Sequence, residues 1–254
     1  MIRWPAEAIW EAVAPQLPGF SVEVLPRVDS SNTELMRRAR AGRTEPVLLV
    51  AEAQTAGRGR LGRGWTSAPG DSLTFSLGLT LAPGDWSGLS LAVGVSIAES
   101  LHPRIGIKWP NDLWVGDRKL AGILIETASF GDAGAAARYA VIGVGINLAP
   151  RPGEGFSTPP AALQELDPSL DAPAALLRLL PPLVASVQAF ETFGFAPFQA
   201  RFQARDVLRD RPVVLSDGTA GTAHGVSEAG ALLVHTAAGM QAVTSSEVSV
   251  RPAA

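Results

Sequence analysis

The nine residues Gly57-Arg58-Gly59-Arg60-Leu61-Gly62-Arg63-Gly64-Trp65 decide between folds. They contain the spacing Gly-x-Gly-x-x-Gly, which in a dinucleotide-binding fold carries the chain from a strand into a helix beneath a pyrophosphate. That context is missing. Arginine fills two of the intervening positions, and Thr66-Ser67-Ala68-Pro69-Gly70 leads into a strand pattern rather than a helix. A phosphate loop of the Gly-Lys-Ser/Thr type is excluded as well. What is left is a cationic loop in which four glycines expose the backbone and three arginines offer forked donors to phosphate or carboxylate. A segment this costly in chain entropy points to anion binding rather than to a solvated turn.

Outward from that loop the chain alternates strand and helix patterns. Towards the N-terminus, Pro46–Ala53 reads as a buried strand, Thr33–Ala41 as a helix capped by Asp29-Ser30-Ser31-Asn32 and closed by Gly42, Phe20–Val28 as a strand, and 6–17 as a short helix. Towards the C-terminus, Leu73–Leu79 reads as a strand and Leu89–Leu101 as a helix. Strand runs follow at Ile105–Trp109, Leu113–Val115, Leu120–Glu126 and Tyr139–Leu148. Residues 149–173, rich in Pro and Gly, read as a surface loop with a short helix; Ala174–Phe190 and Ala196–Arg205 read as helices. After about residue 210 only short strands remain. The expectation is an α/β (α+β) chain: a mixed-sheet domain over 1–207 and a small β-barrel over 208–254.

Composition narrows the chemistry. The 254 residues are 46% hydrophobic and 18% charged, with net charge −3, which excludes a disordered chain and gives no sign of a nucleic-acid binder. Absence of cysteine excludes disulfides, thiolate metal sites and a cysteine nucleophile. His102, His224 and His235 lie far apart, with no zinc-ligand spacing. The stretch MIRWPAEAIWEAV carries acids and does not read as a secretory signal, and no stretch approaches the ~20 apolar residues of a membrane span. The expectation is a cytoplasmic protein.

Rare residues are more pointed. Against 19 arginines there are two lysines, Lys108 and Lys119, and the three asparagines are Asn32, Asn111 and Asn147. Lys108-Trp109-Pro110-Asn111-Asp112-Leu113 places an aromatic, a rigid turn and polar side chains together, and Lys119 opens the next strand. If 113–115 and 120–125 pair as a hairpin, Asp112 and Lys119 share one end of the sheet, where an ammonium can neutralise an anion. Gly143-Val144-Gly145-Ile146-Asn147 reads as a strand that a flat ligand or another backbone approaches closely, with tight sheet packing as an equal alternative.

These motifs, with Gln54-Thr55-Ala56 before the glycine loop and Lys119-Leu120-Ala121-Gly122-Ile123-Leu124-Ile125-Glu126, resemble those of the biotin–protein ligases (biotin–[acetyl-CoA-carboxylase] ligases) in order and spacing over residues 29–148. The fold implied is the mixed-sheet catalytic domain of the biotin/lipoate ligase type with a C-terminal SH3-like β-barrel. Lipoate–protein ligases share the logic, but the Lys108–Leu113 segment beside the Gly/Arg loop favours biotin. The activity implied has two steps: biotin and MgATP give biotinyl-5′-AMP and pyrophosphate, and the acyl group passes to a lysine of a biotin carboxyl carrier protein. ATP and biotin are then substrates, with Mg2+ accompanying the nucleotide; metal ligands are not assigned.

By the same resemblance, the biotin side is Ser30, Ser31, Asn32, Gln54, Gly57, Arg58, Gly59, Arg60, Trp65, Lys119 and Gly122. The nucleotide side is Arg58, Arg60, Lys108, Trp109, Asn111, Asp112, Lys119 and Asn147. Lys119, Arg60 and Asp112 are the catalytic candidates, and Leu61 stands where the family commonly has another arginine. Some members carry an N-terminal helix-turn-helix module of ~60 residues. Only 28 residues precede Asp29 here, so no DNA-binding or membrane role is expected. A homodimer is left open, because sheet-edge pairing is not legible in one chain.

Overall fold

The strand Ser72–Leu81 alternates two chemistries: Leu73, Phe75, Leu77 and Leu79 on one face, Ser72, Thr74, Ser76 and Gly78 on the other, nearly all buried. Both faces of this strand are therefore covered, one by an apolar core and one by polar partners. The computed structural model describes residues 2–129, 137–244 and 250–252. Its elements are α1 (Ala6–Val13), β1 (Ser21–Leu25), α2 (Ser31–Arg40), β2 (Val47–Ala51), β3 (Gly57–Arg58), β4 (Gly64–Trp65), β5 (Ser72–Leu81), α3 (Leu89–Leu101), β6 (Gly106–Lys108), β7 (Asp112–Val115), β8 (Arg118–Ala128), β9 (Arg138–Asn147), α4 (Ala172–Phe193) and α5 (Ala196–Gln203). The C-terminal strands are β10 (Pro212–Leu215), β11 (Ala220–Val226), β12 (Leu232–Thr236), β13 (Gly239–Val243) and β14 (Val250–Pro252).

Seven strands form one mixed sheet in the order β1-β2-β5-β9-β8-β7-β6, with β1 and β2 parallel across the α2 crossover and the rest antiparallel. On one face, Leu48, Val50, Leu73, Phe75, Ile142, Ile146 and Ile123 join the large core with α1, α3 and α4. On the other, Val47, Leu49, Tyr139 and Val141 pack on Leu35, Met36 and Ala39 of α2. This second face is covered by a single short helix, so the β8 and β9 positions beyond α2 are left to line a cavity.

Two sequence expectations change. The small barrel is not formed: β10–β14 make an open antiparallel sheet in the order β13-β12-β11-β10-β14, whose edges β13 and β14 are not paired among the described residues. Closure needs strand number, tilt and stagger to agree; here β14 supplies three residues, and the β11–β12 pairing is interrupted between Ala223 and Val226. The Gly/Arg loop is a two-stranded ribbon, with Gly57 opposite Trp65 and Arg58 opposite Gly64. The 149–173 segment has its short helix at Leu163–Glu165, and Lys119 N–H donating to Pro159 O (2.8 Å) and Ala161 N–H to Lys119 O (2.8 Å) dock it beside β8.

Helix α4 also departs from expectation, being long and apolar enough to cross a membrane by length and composition. Its apolarity serves the core, since Leu176, Leu179, Leu180, Leu183, Val184, Val187 and Phe190 are buried. Asp171 caps it by accepting from Ala174 N–H at 2.8 Å. Among the described residues before β1 there is a single eight-residue helix rather than a helix-turn-helix pair.

Candidate active site

A cavity of about 530 Å3 opens on the face of the sheet left bare by α2, roofed by the β3–β4 ribbon and bounded by the 156–160 segment and by Val250–Pro252 of the C-terminal sheet. Its floor follows from strand alternation. Gly122 and Leu124 of β8, Gly143, Gly145 and Asn147 of β9 and Thr74 of β5 point into it, while their neighbours point into the core.

One end is a polar network built at the start of α2. Ser30 caps the helix, its Oγ accepting from Thr33 N–H at 3.4 Å. Ser31 N–H donates to Gln54 Oε1 at 2.7 Å, and Ser31 Oγ lies 3.1 Å from the same oxygen. Ser76, fully buried on β5, donates to Asn32 Oδ1 at 2.6 Å and sits 2.7 Å from Ser31 Oγ. Asn32 Nδ2 donates to Leu124 O (3.1 Å) and to Glu126 Oε2 (3.0 Å). Gly143 makes room for this: a Cβ there would stand 2.1 Å from Asn32 Oδ1. The glycines of β9 are thus explained by side-chain packing, because a Cβ on Gly145 would likewise fall 2.3 Å from the Trp65 ring.

The other end is cationic. Lys108, Lys119, Arg60, Arg63, Arg151, Arg211 and Arg251 line it, against the carboxylates Asp112 and Asp117, whereas Arg58 stands at the first end, 3.4 Å from Thr33 Oγ1 and 3.4 Å from Glu126 Oε1. Lys119 Nζ is 2.7 Å from Asp112 Oδ1, and Arg211 Nη1 is 2.7 Å from Asp117 Oδ1. Arg60 reaches across from the ribbon to donate to Asn111 Oδ1 at 3.3 Å, and Asn111 Nδ2 donates to Ile123 O at 2.8 Å. Burial lowers the Arg60 pKa, and the Asp112 charge partly restores it. Burial also pushes the Lys108 ammonium down to about 8, opposed by Asp112 and reinforced by Lys119, Arg63 and Arg251. Its Nζ stands 5.3 Å over the Trp114 ring. Asn147 donates to Lys119 O (3.1 Å) and accepts from Arg151 Nη2 (2.7 Å). Arg151 stacks over Phe156 at 4.8 Å and over Trp65 at 5.9 Å. A negative chain therefore encloses a strongly positive chamber, which disfavours no anion that two or three guanidinium groups can grip.

All the residues singled out from sequence line this cavity except Gly57 and Trp109. Gly57 belongs to the ribbon but does not line the cavity, and a Cβ there would meet Trp65 O at 2.3 Å and Gln54 Nε2 at 2.8 Å. Trp109 is fully buried away from the cavity, its indole N–H donating to Gly230 O at 3.0 Å, so it is not a nucleotide contact. Sequence reasoning missed Ser76, Arg151, Phe156, Arg211 and Arg251, and counted Arg63 among the anion-binding arginines of the loop without assigning it to either substrate. Among the described residues no group of three His, Cys, Asp or Glu side chains is placed to hold a metal ion.

Comparison with known proteins agrees with this geometry. Residues 24–147 match the Biotin/lipoate A/B protein ligase family and residues 212–251 match the Biotin protein ligase C terminal domain. The bifunctional ligase/repressor BirA of Escherichia coli (strain K12) is 39% identical, over 94% of this chain and 76% of its own. The biotin–[acetyl-CoA-carboxylase] ligase of Paracoccus denitrificans is 34% identical, over 89% of this chain and 98% of its own. A solved structure of the Aquifex aeolicus biotin protein ligase in complex with biotin and ATP superposes with TM-score 0.78 at 28% identity, covering 91% of this chain and 99% of that one. With a floor of β8 and β9, a ribbon of arginines above it and relatives that match both sheets, the chain belongs to the biotin protein ligases.

Proposed function

We propose that this protein forms biotinyl-5′-AMP from biotin and ATP and then transfers the biotinyl group to a lysine of a carrier protein such as the biotin carboxyl carrier subunit of acetyl-CoA carboxylase. The observation that carries the reading is the meeting of Arg60 and Lys119 in one cavity whose other end is the Ser31–Gln54–Asn32–Ser76 network.

In the first step the biotin carboxylate oxygen attacks the α-phosphorus of ATP, the bond from that phosphorus to the bridging oxygen breaks, and pyrophosphate leaves. Two anions must approach, so fixed cations are required. Lys119, beside Gly122 and Asp112, is assigned to the carboxylate and α-phosphate. Arg60 is assigned to the phosphate, and Arg63, Lys108 and Arg251 supply further positive charge for the polyphosphate. Ser30, Ser31 and Gln54 are assigned to the ureido ring, and Trp65 and Gly122 to the walls of the biotin pocket. Asn111 and Asn147 are assigned to the nucleotide side. Mg2+ would enter with ATP and would offset charge on the phosphates, and Asp112, already paired with Lys119, would be a carboxylate within the cavity able to help hold it.

In the second step the acceptor amine attacks the acyl carbon, the bond from that carbon to the phosphate oxygen breaks, and AMP leaves. Asp112, beside Lys119, is assigned to take the amine's proton. The ribbon keeps water from the mixed anhydride between the steps. The reading places the enzyme in the cytoplasm, alongside its ATP and carrier.

The test is mass spectrometry of a purified carrier domain incubated with this protein, biotin and MgATP. One biotinyl group on a lysine is expected; modification by lipoate and not by biotin would overturn the assignment.

A further inference from the structure

Within the turn Lys108–Asp112, Trp109 alone faces away from the cavity, while Lys108, Pro110, Asn111 and Asp112 all line it. Its indole N–H donates to Gly230 O at 3.0 Å in a fully buried setting. Gly230 belongs to the turn between β11 and β12, at φ +77°, and lies so close to the start of α3 that a Cβ on it would stand 2.8 Å from Gly88 Cα. The same start of α3 holds the turn from its other side, Ser90 Oγ donating to Pro110 O at 2.9 Å. Gly88 and Ser90 border a second cavity of about 270 Å3, which Arg60 and Asn111 also line. The backbone of 109–110 is therefore fastened to two elements that touch each other. Asn111 follows directly, and its side chain accepts from Arg60 and donates to Ile123 O.

We infer that Trp109 is a positioning residue: through its bond to Gly230 the C-terminal sheet fixes where Asn111, and through it Arg60, stands against the nucleotide. This rests on the ligase reading. An aromatic ring of any kind would fill the space, but only a donor satisfies a buried carbonyl, and losing that donor frees the turn to shift. Among the described residues, the biotin-end network of Ser31, Asn32, Gln54 and Ser76 has no hydrogen bond to Trp109, Gly230 or Ser90 and meets the clasp only through the backbone of β8.

The experiment compares wild type with Trp109→Phe and Gly230→Ala in biotin-dependent ATP–pyrophosphate exchange, alongside calorimetric titration of biotin without ATP. Expected is a rise of about tenfold in KM for ATP in both variants, with biotin affinity within twofold of wild type. Val13→Ala, which destabilises the distant α1, is the thermal control and leaves both constants unchanged. Should either variant fail to fold, Ser90→Ala removes the opposite fastening and raises KM for ATP about threefold, again sparing biotin. Folded variants with unchanged KM for ATP, or with ATP and biotin constants rising together, overturn the inference alone. A wild type with no biotin-dependent exchange overturns the ligase reading and the inference with it.

Discussion

Lys119 Nζ and Asp112 Oδ1 lie 2.7 Å apart on neighbouring antiparallel strands, with Gly122 beneath them (a Cβ there would stand 3.4 Å from Nζ). A surface pair of this kind contributes little to stability, whereas here one partner is a cation that lines a ligand cavity. Lys119→Ala is expected to lower biotin-dependent ATP–pyrophosphate exchange by at least about 100-fold, the usual cost of removing one preorganised donor from a developing charge. Exchange within threefold of wild type would show that Lys119 is only half of an ion pair.

Arg60 joins the ribbon to Asn111 across the cavity. Arg60→Gly removes both a phosphate donor and that bridge, so biotinyl-5′-AMP should leave about 10- to 100-fold faster, read as release of labelled adenylate on dilution. An off-rate equal to that of the parent enzyme would remove the ribbon from any role in retention.

Ser76 presents one hydroxyl to both Ser31 and Asn32. In Ser76→Ala the buried Asn32 Oδ1 loses its donor and Ser31 Oγ loses a neighbouring polar contact, at about 1–3 kcal/mol, and biotin affinity by calorimetry should fall about tenfold or more while KM for ATP holds. Equal losses for both substrates would mean that the network is not a biotin determinant.

Lys108, with its pKa near 8, is partly neutral at pH 8. An arriving polyphosphate favours the charged form, so nucleotide binding at pH 8 should take up protons, and at pH 6, where Lys108 is already charged, this uptake should disappear. Titrations in buffers of different ionisation enthalpy measure it, and Lys108→Met should abolish the pH 8 uptake.

Asp206, between α5 and β10, accepts from Leu208 N–H at 2.9 Å through Oδ1, while its buried Oδ2 has no hydrogen-bond partner among the described residues. Burial pushes its pKa up to about 6. The folded chain therefore binds this proton more tightly than the unfolded one, so its contribution is greatest at acid pH and is lost as pH rises from about 4 through 6. Asp206→Asn should melt higher than wild type at pH 7 and no higher near pH 4. A difference that does not change with pH would exclude the carboxylate as its source.

Much of the site was legible because its residues sit in short polar or glycine-rich runs between strong strand patterns. Ser30–Asn32 at the start of α2, Gln54, Arg58–Leu61 and Trp65 around the ribbon, Asn111 in the turn before β7, Asp112 at the start of β7, Lys119 and Gly122 on β8 and Asn147 on β9 all reach one cavity. Ser76 could not be picked out, since a serine inside Leu73–Leu79 acquires meaning only from what packs on it. Arg211 and Arg251 come from a separate sheet, and an overall charge of −3 conceals where cations gather. Trp109 was misplaced because motif membership does not say which way a turn residue faces. Sheet closure after residue 210 depends on how edges meet in space, which strand periodicity does not encode.

The notch at Gly145 sets how the ribbon can move. Trp65, at the end of β4, seats its indole where any side chain on residue 145 would collide with it, while Leu61 at the tip is 58% exposed. The tip borders the chamber and the tryptophan end is wedged into the floor, so the ribbon is anchored by packing at Trp65 and not at Leu61. Filling the notch, as in Gly145→Val, would displace that anchor and with it the arginines the ribbon carries.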